Sequence, residues 1–306
     1  MVRFLLRRLL VAIPTLLLVI TAAFFMMRAA PGSPFETSRK LPVQVEKNIM
    51  AKYGMDRPLA VQYAAYLGGV VHGDFGPSLK YADKSVIDIV RQGFPTSLAI
   101  GLSALILASC LGVFLGVMAA LRQNQAFDFA TMALAILGVC IPTFVTGPIL
   151  LQVFASWLGW APTGGVSNGA RSLILPVLTL ALPQIAIISR LTRAGMIEAL
   201  RSNYVRTARA KGLPNSAIVF RHALRAGILP LVSYLGPACA GLVTGSLVVE
   251  QVFNLPGLGK SFITGALQRD YTVVMGVVIL YAALILALNL AADIVQALLD
   301  PRVTLS

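Results

Sequence analysis

Uncharged hydrophobic stretches of about 18 residues or more recur along the chain and alternate with shorter polar segments. A helix of that length crosses the hydrocarbon core of a bilayer, and a helix satisfies its own backbone hydrogen bonds there. The sequence therefore predicts an all-α integral membrane protein with six transmembrane helices. In chain order the stretches are Leu9–Met27, Phe94–Leu121, Phe129–Leu158, Ser172–Ser189, Ala226–Val249 and Tyr271–Ala292.

The spacing of these stretches divides the chain into three parts. Residues 1–27 are predicted to form the N-terminus and the first span, residues 28–93 a large extracytoplasmic loop, and residues 94–306 a five-helix core that includes a loop at 190–225. A signal peptide is the alternative interpretation of the N-terminus, because basic residues precede its apolar run. We favour a transmembrane helix, since the run exceeds the roughly 7–15 apolar residues of a signal peptide.

Composition fits a protein whose solvent is partly lipid. Of the 306 residues, 57% are hydrophobic and only 12% are charged, which excludes a soluble enzyme because the chain could not cover its surface with polar groups. A net charge of +13 would indicate nucleic-acid binding in a soluble protein. Here the basic residues lie between the apolar stretches, so we expect contact with membrane lipid and no nucleic-acid partner.

Lys and Arg are distributed unequally between the polar segments. Arg3, Arg7 and Arg8 precede the first span without an acidic neighbour, and the fourth loop contains a single acid, Glu198. The basic residues of that loop are Arg190, Arg193, Arg201, Arg206, Arg209, Lys211, Arg221 and Arg225. Because Lys and Arg accumulate in cytoplasmic loops, the N-terminus, the second and fourth loops and the C-terminus are predicted to be cytoplasmic.

The side-chain groupings of enzymes and metal sites are missing from the sequence. No HExxH, CxxC or His–acid pair occurs, and His72 and His222 fall on opposite sides of the predicted membrane. Asn254–Ser261 is similar to a phosphate-binding loop, but it opens with Asn rather than Gly and follows no strand. We therefore predict no catalytic residue and no metal ligand in this chain.

A few polar and small residues interrupt the predicted spans. Gln152, Gln184 and Asn289 are candidates to line a polar path, although such groups also serve helix packing. Gly112 and Gly116, and likewise Gly241 and Gly245, have the GxxxG spacing that lets two helices approach closely. Packing within the chain and an interface with a partner subunit both explain this spacing, and the sequence does not distinguish them.

The fourth loop contains a predicted short helix. Ser202 or Asn203 can cap its N-terminus, while Gly212 and Pro214 end it. Gly212 is expected to adopt a positive φ. The residues alone are equally compatible with two roles for this segment: a basic loop that sets the topology and contacts anionic lipid, or a helix that docks into a cytoplasmic partner.

Arg201–Pro230 resembles the cytoplasmic EAA loop of membrane subunits in binding-protein-dependent ABC importers. YVRTARAKGL at Tyr204–Leu213 and RHAL at Arg221–Leu224 are similar to the peptide and nickel branch of that family, and Arg206 departs from the general pattern, which has Glu there. The resemblance continues in order along the chain through RLLVAIPTL, APGSPF, YGMDRPL, HGDFGPS, NLPGLG, RDY and LDPR. The APGSPF and HGDFGPS forms look most like the B-type subunit of oligopeptide permeases.

The resemblance implies a type I ABC importer permease fold and ATP-driven import of oligopeptides across the bacterial cytoplasmic (inner) membrane. Its implied partners are a homologous C-type permease subunit, two cytoplasmic ATPase subunits and an extracytoplasmic peptide-binding protein. ATP and Mg would be bound by the ATPase subunits, so this chain would be non-catalytic and without a cofactor. One alternative is the same architecture importing dipeptides, nickel chelates or other peptide-like solutes. Another is an ATP-independent membrane scaffold or channel subunit.

The resemblance also implies roles for individual residues. Within the fourth loop it implies a coupling helix seated in a groove of an ATPase subunit. That segment comprises Tyr204, Val205, Arg206, Thr207, Ala208, Arg209, Ala210, Lys211 and Gly212. On the other side of the membrane, the resemblance implies that a turn receives the binding protein, with Asn254, Pro256, Gly257 and Gly259 as candidate contacts.

Overall fold

The computed structural model describes residues 2–29, 54–81, 83–244 and 246–299, and within these ranges the chain is helical with a single isolated β-bridge. The predicted all-α class is confirmed. The α-helices are α1 (Val2–Ala29), α2 (Leu59–Val71), α3 (Val86–Leu121), α4 (Ala126–Cys140), α5 (Thr143–Leu150), α6 (Ile174–Arg201), α7 (Asn203–Ala210), α8 (Asn215–Ala217), α9 (Leu224–Gly227), α10 (Leu229–Thr244), α11 (Leu247–Val252), α12 (Leu258–Leu267) and α13 (Tyr271–Leu299). Residues 30–53 of the predicted loop 28–93 lie outside the described ranges.

Among the described residues, five helical segments are long and apolar enough to cross a membrane, and the fourth of them combines α10 and α11. They are Arg8–Ala29, Val86–Leu121, Gly169–Arg201, Leu229–Val252 and Tyr271–Gln296. A further pair of helices, Ala126–Cys140 and Thr143–Trp157, passes the same test together and is bent by 102°. The predicted number of six spans is reached when this bent pair counts as one span.

The third predicted span, Phe129–Leu158, is therefore not a single straight helix. α4 ends at Cys140, and Ile141 has an extended backbone with φ −85° and ψ 116°. Pro142 follows; its ring disfavours the helical conformation of the preceding residue, and it has no N–H to donate. The chain turns here and continues as α5 and a π-helical segment, Leu151–Trp157.

The fourth span extends beyond its predicted end at Ser189, because α6 continues to Arg201. The first part of the predicted loop 190–225 is thus helical and includes Arg190, Arg193 and Glu198. A criterion based on uncharged residues ends a span at its first charge, whereas a helix carries charged side chains past the apolar core. The same difference applies to α13, which reaches Leu299 rather than Ala292.

The chain divides into two compact units. One comprises residues 97–255 and the chain from residue 285 onward, and the other comprises residues 2–96 and 256–284. In the first unit, buried residues of α3, α6 and α10 form the main core, which contains Ile100, Ile188 and Leu242. In the second unit, Val86 packs with residues of α12 and α13, among them Leu258 and Val277.

Two glycines of α3 let that helix pack closely on α6 within the first unit. A Cβ atom on Gly112 would lie 2.7 Å from Cγ2 of Ile188, and one on Gly116 would lie 2.6 Å from the carbonyl oxygen of Ser189. Neither distance leaves room for a methyl group. The GxxxG spacing at Gly112 and Gly116 therefore serves packing within the chain.

Candidate functional site

α7 is the short helix predicted in the fourth loop, and a single residue separates it from α6. That residue, Ser202, has an extended backbone with φ −70° and ψ 157°. The Ser202 hydroxyl donates a hydrogen bond to the carbonyl oxygen of Ala199 at 2.6 Å and makes no cap bond to α7. Ser202 thus occupies the predicted N-cap position, but its side chain completes the end of α6 rather than the start of α7.

The C-terminus of α7 is closed by Gly212, whose φ of +72° confirms the predicted left-handed conformation. The Gly212 N–H donates to the carbonyl oxygen of Arg209 at 2.9 Å, and the Leu213 N–H donates to that of Ala208 at 3.3 Å. These two bonds form a Schellman motif, which satisfies carbonyl groups that a helix end leaves open. A Cβ atom at Gly212 would meet no other atom within 4 Å, so the requirement for glycine comes from the backbone.

Two side chains of α7 hold it against the rest of the first unit. Val205 is fully buried and Ala208 is 5% exposed. They are three residues apart and therefore lie on one face of the helix. Both belong to a hydrophobic cluster at the ends of α3 and α6 and along the segment after α7. The other buried members of the cluster are Val117, Ala120, Met196, Ala199, Ile218, Val219 and Ala223.

The remaining face of α7 is exposed and basic. The exposed residues of α7 are Asn203, Tyr204, Arg206, Thr207, Arg209 and Ala210, and Lys211 and Gly212, which follow it, are exposed as well. None of the three basic side chains forms an ion pair in the part of the chain that the structure describes. The nine residues of the predicted segment thus have two roles: Val205 and Ala208 anchor the helix, and the other seven form a surface.

The predicted turn at Asn254–Gly259 connects α11 to α12. Asn254 has a φ of +53°, and the Leu255 N–H donates to the carbonyl oxygen of Glu250 at 2.8 Å, which closes α11. Of the four candidate contacts, Asn254 and Pro256 are exposed, whereas Gly257 and Gly259 are buried. The surface that this turn offers is therefore smaller than the sequence indicated.

Gly257 is buried because α3 passes close to it in the second unit. A Cβ atom on Gly93 would lie 3.0 Å from the carbonyl carbon of Gly257 and from the backbone nitrogen of Leu258. Pro256 and Gly257 also line a cavity of about 420 Å³ whose wall includes Lys84 and Lys260. The turn thus combines a tight packing contact with an open, basic-lined surface.

The three candidates for a polar path have different surroundings. Gln184 accepts a hydrogen bond from the Tyr234 hydroxyl at 2.6 Å, which ties α6 to α10. Gln152 is exposed on the π-helical segment, and the buried side-chain oxygen of Asn289 has no hydrogen-bond partner among the residues that the structure describes. No hydrogen bond within the described ranges joins any two of the three, so they remain separate candidates.

An ion pair between α4 and α6, buried at Asp128 and partly exposed at Arg193, was not predicted from the sequence. Arg193 Nε lies 2.5 Å from Oδ1 of Asp128, and Arg193 Nη2 lies 2.7 Å from Oδ2. A usable signal was present, because Asp128 is the sole acidic residue between Asp88 and Glu198. It was missed because Asp128 lies just before the predicted third span and Arg193 was assigned to a loop.

A second buried carboxylate belongs to Glu250, which is fully buried near the end of α11. It accepts hydrogen bonds from the Ser97 hydroxyl at 2.6 Å and from the Ser246 hydroxyl at 2.5 Å. Hydroxyl donors stabilise a buried carboxylate that would otherwise lose its hydration. These bonds attach α11 to the part of α3 that belongs to the first unit.

Solved structures with a similar fold are membrane transporters. A chain of the MetNI methionine ABC transporter in an inward-facing conformation aligns with a TM-score of 0.59 and 18% identity over 70% of this chain and 97% of that chain. A chain from the crystal structure of an amino acid ABC transporter with histidines aligns with a TM-score of 0.53. It is 16% identical, and the alignment covers 71% of this chain and 95% of that chain. The expected type I ABC importer permease fold is confirmed.

The chain belongs to the family of inner-membrane components of binding-protein-dependent transport systems. The model of that family matches residues 112–305, and the model of its N-terminal region matches residues 1–101. The oligopeptide transport system permease protein OppB of Escherichia coli (strain K12) is 51% identical over 99% of each chain. The dipeptide transport system permease protein DppB of Bacillus subtilis (strain 168) is 41% identical over 100% of this chain and 99% of its own. The chain is thus a multi-pass inner-membrane transport component rather than an enzyme.

Proposed function

We propose that the chain is a permease subunit of an ATP-driven importer and moves oligopeptides across the inner membrane. The observation that carries the substrate class is the order of identities among full-length relatives. Permeases named for oligopeptides are 51% and 48% identical, whereas those named for dipeptides are 41% and 38% identical. Import of dipeptides, nickel chelates or other peptide-like solutes by the same architecture is the nearest alternative.

We further propose that α7 is the contact with the ATPase. A short helix that is closed at its C-terminus and anchored by Val205 and Ala208 behaves as a rigid body, as a coupling element must. Because these two apolar residues point into the chain, the exposed face is basic and lacks the broad apolar stripe of a lipid-binding helix. These features favour docking into a cytoplasmic protein over contact with lipid.

In this proposal the complete importer contains a homologous C-type permease, two ATPase subunits and an extracytoplasmic peptide-binding protein. The ATPase subunits bind ATP and Mg, and this chain binds no cofactor. The N-terminus and α7 lie in the cytoplasm, in agreement with the excess of Lys and Arg in those two segments, and the C-terminus lies on the same side because the number of spans is even. The turn at Asn254–Gly259 then faces the binding protein, with Asn254 and Pro256 as its accessible residues.

The test of the ATPase contact is charge reversal on the exposed face of α7. Affinity purification of the tagged chain from membranes, with mass spectrometry, measures how much Walker-motif ATPase is recovered. The double variant Arg209→Glu/Lys211→Glu is expected to insert normally and to recover about tenfold less ATPase, because like charges opposed at an interface are strongly unfavourable. Arg225→Glu, which reverses an exposed charge outside α7, is the matched control. Equal recovery by all three proteins would contradict the proposed contact.

A further inference from the structure

We propose that the ion pair between Asp128 and Arg193 positions α4 and α6 so that they move together when α7 is displaced. Asp128 and Arg193 are thereby assigned as positioning residues for coupling between ATP hydrolysis and transport. The inference rests on the proposed function, in which α7 receives the movement of the ATPase. It adds the route by which that movement reaches the bent pair of helices α4 and α5.

The geometry of the pair fixes orientation as well as distance. Both carboxylate oxygens of Asp128 accept from separate nitrogens of Arg193, at 2.5 Å and 2.7 Å. The Asp128 side chain is 2% exposed and that of Arg193 is 24% exposed. A two-bond guanidinium–carboxylate contact resists rotation and sliding of the two helices. Separating it would leave an uncompensated buried charge, so the register of α4 on α6 is held at this point.

The same carboxylate also holds the turn between α3 and α4. The backbone N–H of Asn124, a residue with a φ of +62°, donates to Oδ2 of Asp128 at 3.0 Å. The neighbouring Gln123 side chain accepts a hydrogen bond from Nη2 of Arg201 at 3.2 Å. The turn is thus attached to α6 at two places, through Asp128 to Arg193 and through Gln123 to Arg201.

α6 connects this attachment to α7 through a single linking residue. Arg193 and Arg201 lie on one continuous helix, about 12 Å apart along its axis at 1.5 Å per residue. Only Ser202 separates α6 from α7, and Val205 of α7 packs in the same cluster as Met196 of α6. A force on the exposed face of α7 is therefore borne by the end of α6 and by the ion pair.

Further along, α4 and α6 contact each other through small apolar groups. A Cβ atom on Gly138 would lie 3.3 Å from Cβ of Ala186 and 3.4 Å from the carbonyl oxygen of Leu182. Such a contact keeps two helices close but does not fix their register against sliding, because it is not directional. The ion pair supplies the directional attachment, and α4 then leads at Ile141 into α5.

The experiment compares transport per ATP hydrolysed in the whole importer, reconstituted in proteoliposomes with its second permease, ATPase subunits and binding protein. Asp128→Asn and Arg193→Gln each remove the ion pair, and the exchange Asp128→Arg/Arg193→Asp restores opposite charges. Arg190→Gln, an exposed arginine of the same helix, is the matched control. We expect transport per ATP to fall about tenfold in the two single variants, a magnitude typical of coupling between sites. The ratio should stay near the wild-type value in Arg190→Gln and recover in part in the exchange variant, where the opposite charges are restored but the Asn124 N–H has lost its carboxylate acceptor.

An unchanged ratio in both single variants would overturn the inference, as would an equal fall in Arg190→Gln. If the single variants fail to assemble, Arg193→Lys tests the inference instead, because it keeps the positive charge and loses the two-bond geometry. A lower amount of transport per ATP in Arg193→Lys supports the positioning role, and a wild-type amount overturns it. Peptide uptake by the wild-type importer tests the proposed function separately. If the wild type carries another solute, the ratios are measured with that solute.

Discussion

Gly212 and Gly195 show two different reasons for a glycine in this chain. Gly212 closes α7 with a φ of +72° and has open space where a side chain would be. Gly195 lies in α6, where a Cβ atom would overlap the carbonyl oxygen of Gly227. The first requirement could be predicted, because a glycine after a basic turn and before a proline is a local signal. The second could not, because it depends on a contact with a residue distant in sequence.

Substitution at Gly212 is expected to act through the backbone alone. Gly212→Val should weaken the end of α7 more than Gly212→Asn, because a left-handed conformation costs an ordinary residue about 1–2 kcal/mol and asparagine adopts it more readily. Hydrogen exchange at the backbone amides of positions 212 and 213, together with the uptake rate, measures how far the C-terminal end of α7 is weakened in each variant. Equal exchange rates in the two variants would contradict a requirement for the left-handed backbone conformation at position 212.

Substitution at Gly195 should instead act through steric overlap. Gly195→Ala is expected to lower the free energy of unfolding by about 1–3 kcal/mol, because the neighbouring backbone has to move. Gly241→Ala is the matched control, since Gly241 is also helical and a Cβ atom there meets nothing within 4 Å. Thermal unfolding of the purified proteins in detergent provides the comparison. Similar unfolding temperatures for both variants would contradict the close contact with Gly227.

Among the helices, α13 shows how two of the sequence motifs are brought together. Asp270, from the RDY motif, precedes α13 and is 1% exposed. It accepts hydrogen bonds from the Ser78 hydroxyl at 2.5 Å, the Leu79 N–H at 3.2 Å and the Thr272 hydroxyl at 2.9 Å. Ser78 belongs to the HGDFGPS motif. The start of α13 is therefore fastened to a segment far from it in sequence.

Removing this carboxylate should loosen the attachment. Asp270→Ala is expected to lower the free energy of unfolding by about 1–3 kcal/mol, because it leaves buried donors unpaired. Ser78→Ala, which removes one of the donors, should have a smaller effect. Chemical unfolding of the purified protein in detergent, followed by a probe on α13, makes the measurement. Wild-type stability in Asp270→Ala would contradict the role given to this residue.

The presence of the membrane-spanning helices could be predicted from the sequence, but the residues at which several of them end could not. Apolar runs long enough to cross a bilayer identified each span in the part of the chain that the structure describes, because lipid imposes that length on the chain. α6 passes Ser189 because its charged residues project from the helix beyond the apolar region. The full extent of the bend at Ile141 depends on how α4 and α5 pack, and the proline alone indicated only a kink.

For the whole molecule, the position of the short helix in the fourth loop could be predicted from the sequence, but not which of its faces is exposed. The sequence predicted the position of α7 and its closure at Gly212 from local residues. It did not show that Val205 and Ala208 face inward, because that depends on the ends of α3 and α6. The ion pair of Asp128 with Arg193 joins residues 65 positions apart, and although Asp128 is conspicuous as an isolated acid, the sequence does not indicate which basic residue is its partner.

Uptake of a labelled oligopeptide by proteoliposomes that contain the purified importer tests the central claim most directly. We predict accumulation that requires both ATP and the binding protein. Unlabelled oligopeptides should compete with it more strongly than dipeptides or nickel chelates do. Accumulation without ATP would favour the channel interpretation over the importer. Uptake of dipeptides or nickel chelates, without uptake of the oligopeptide, would contradict the proposed substrate.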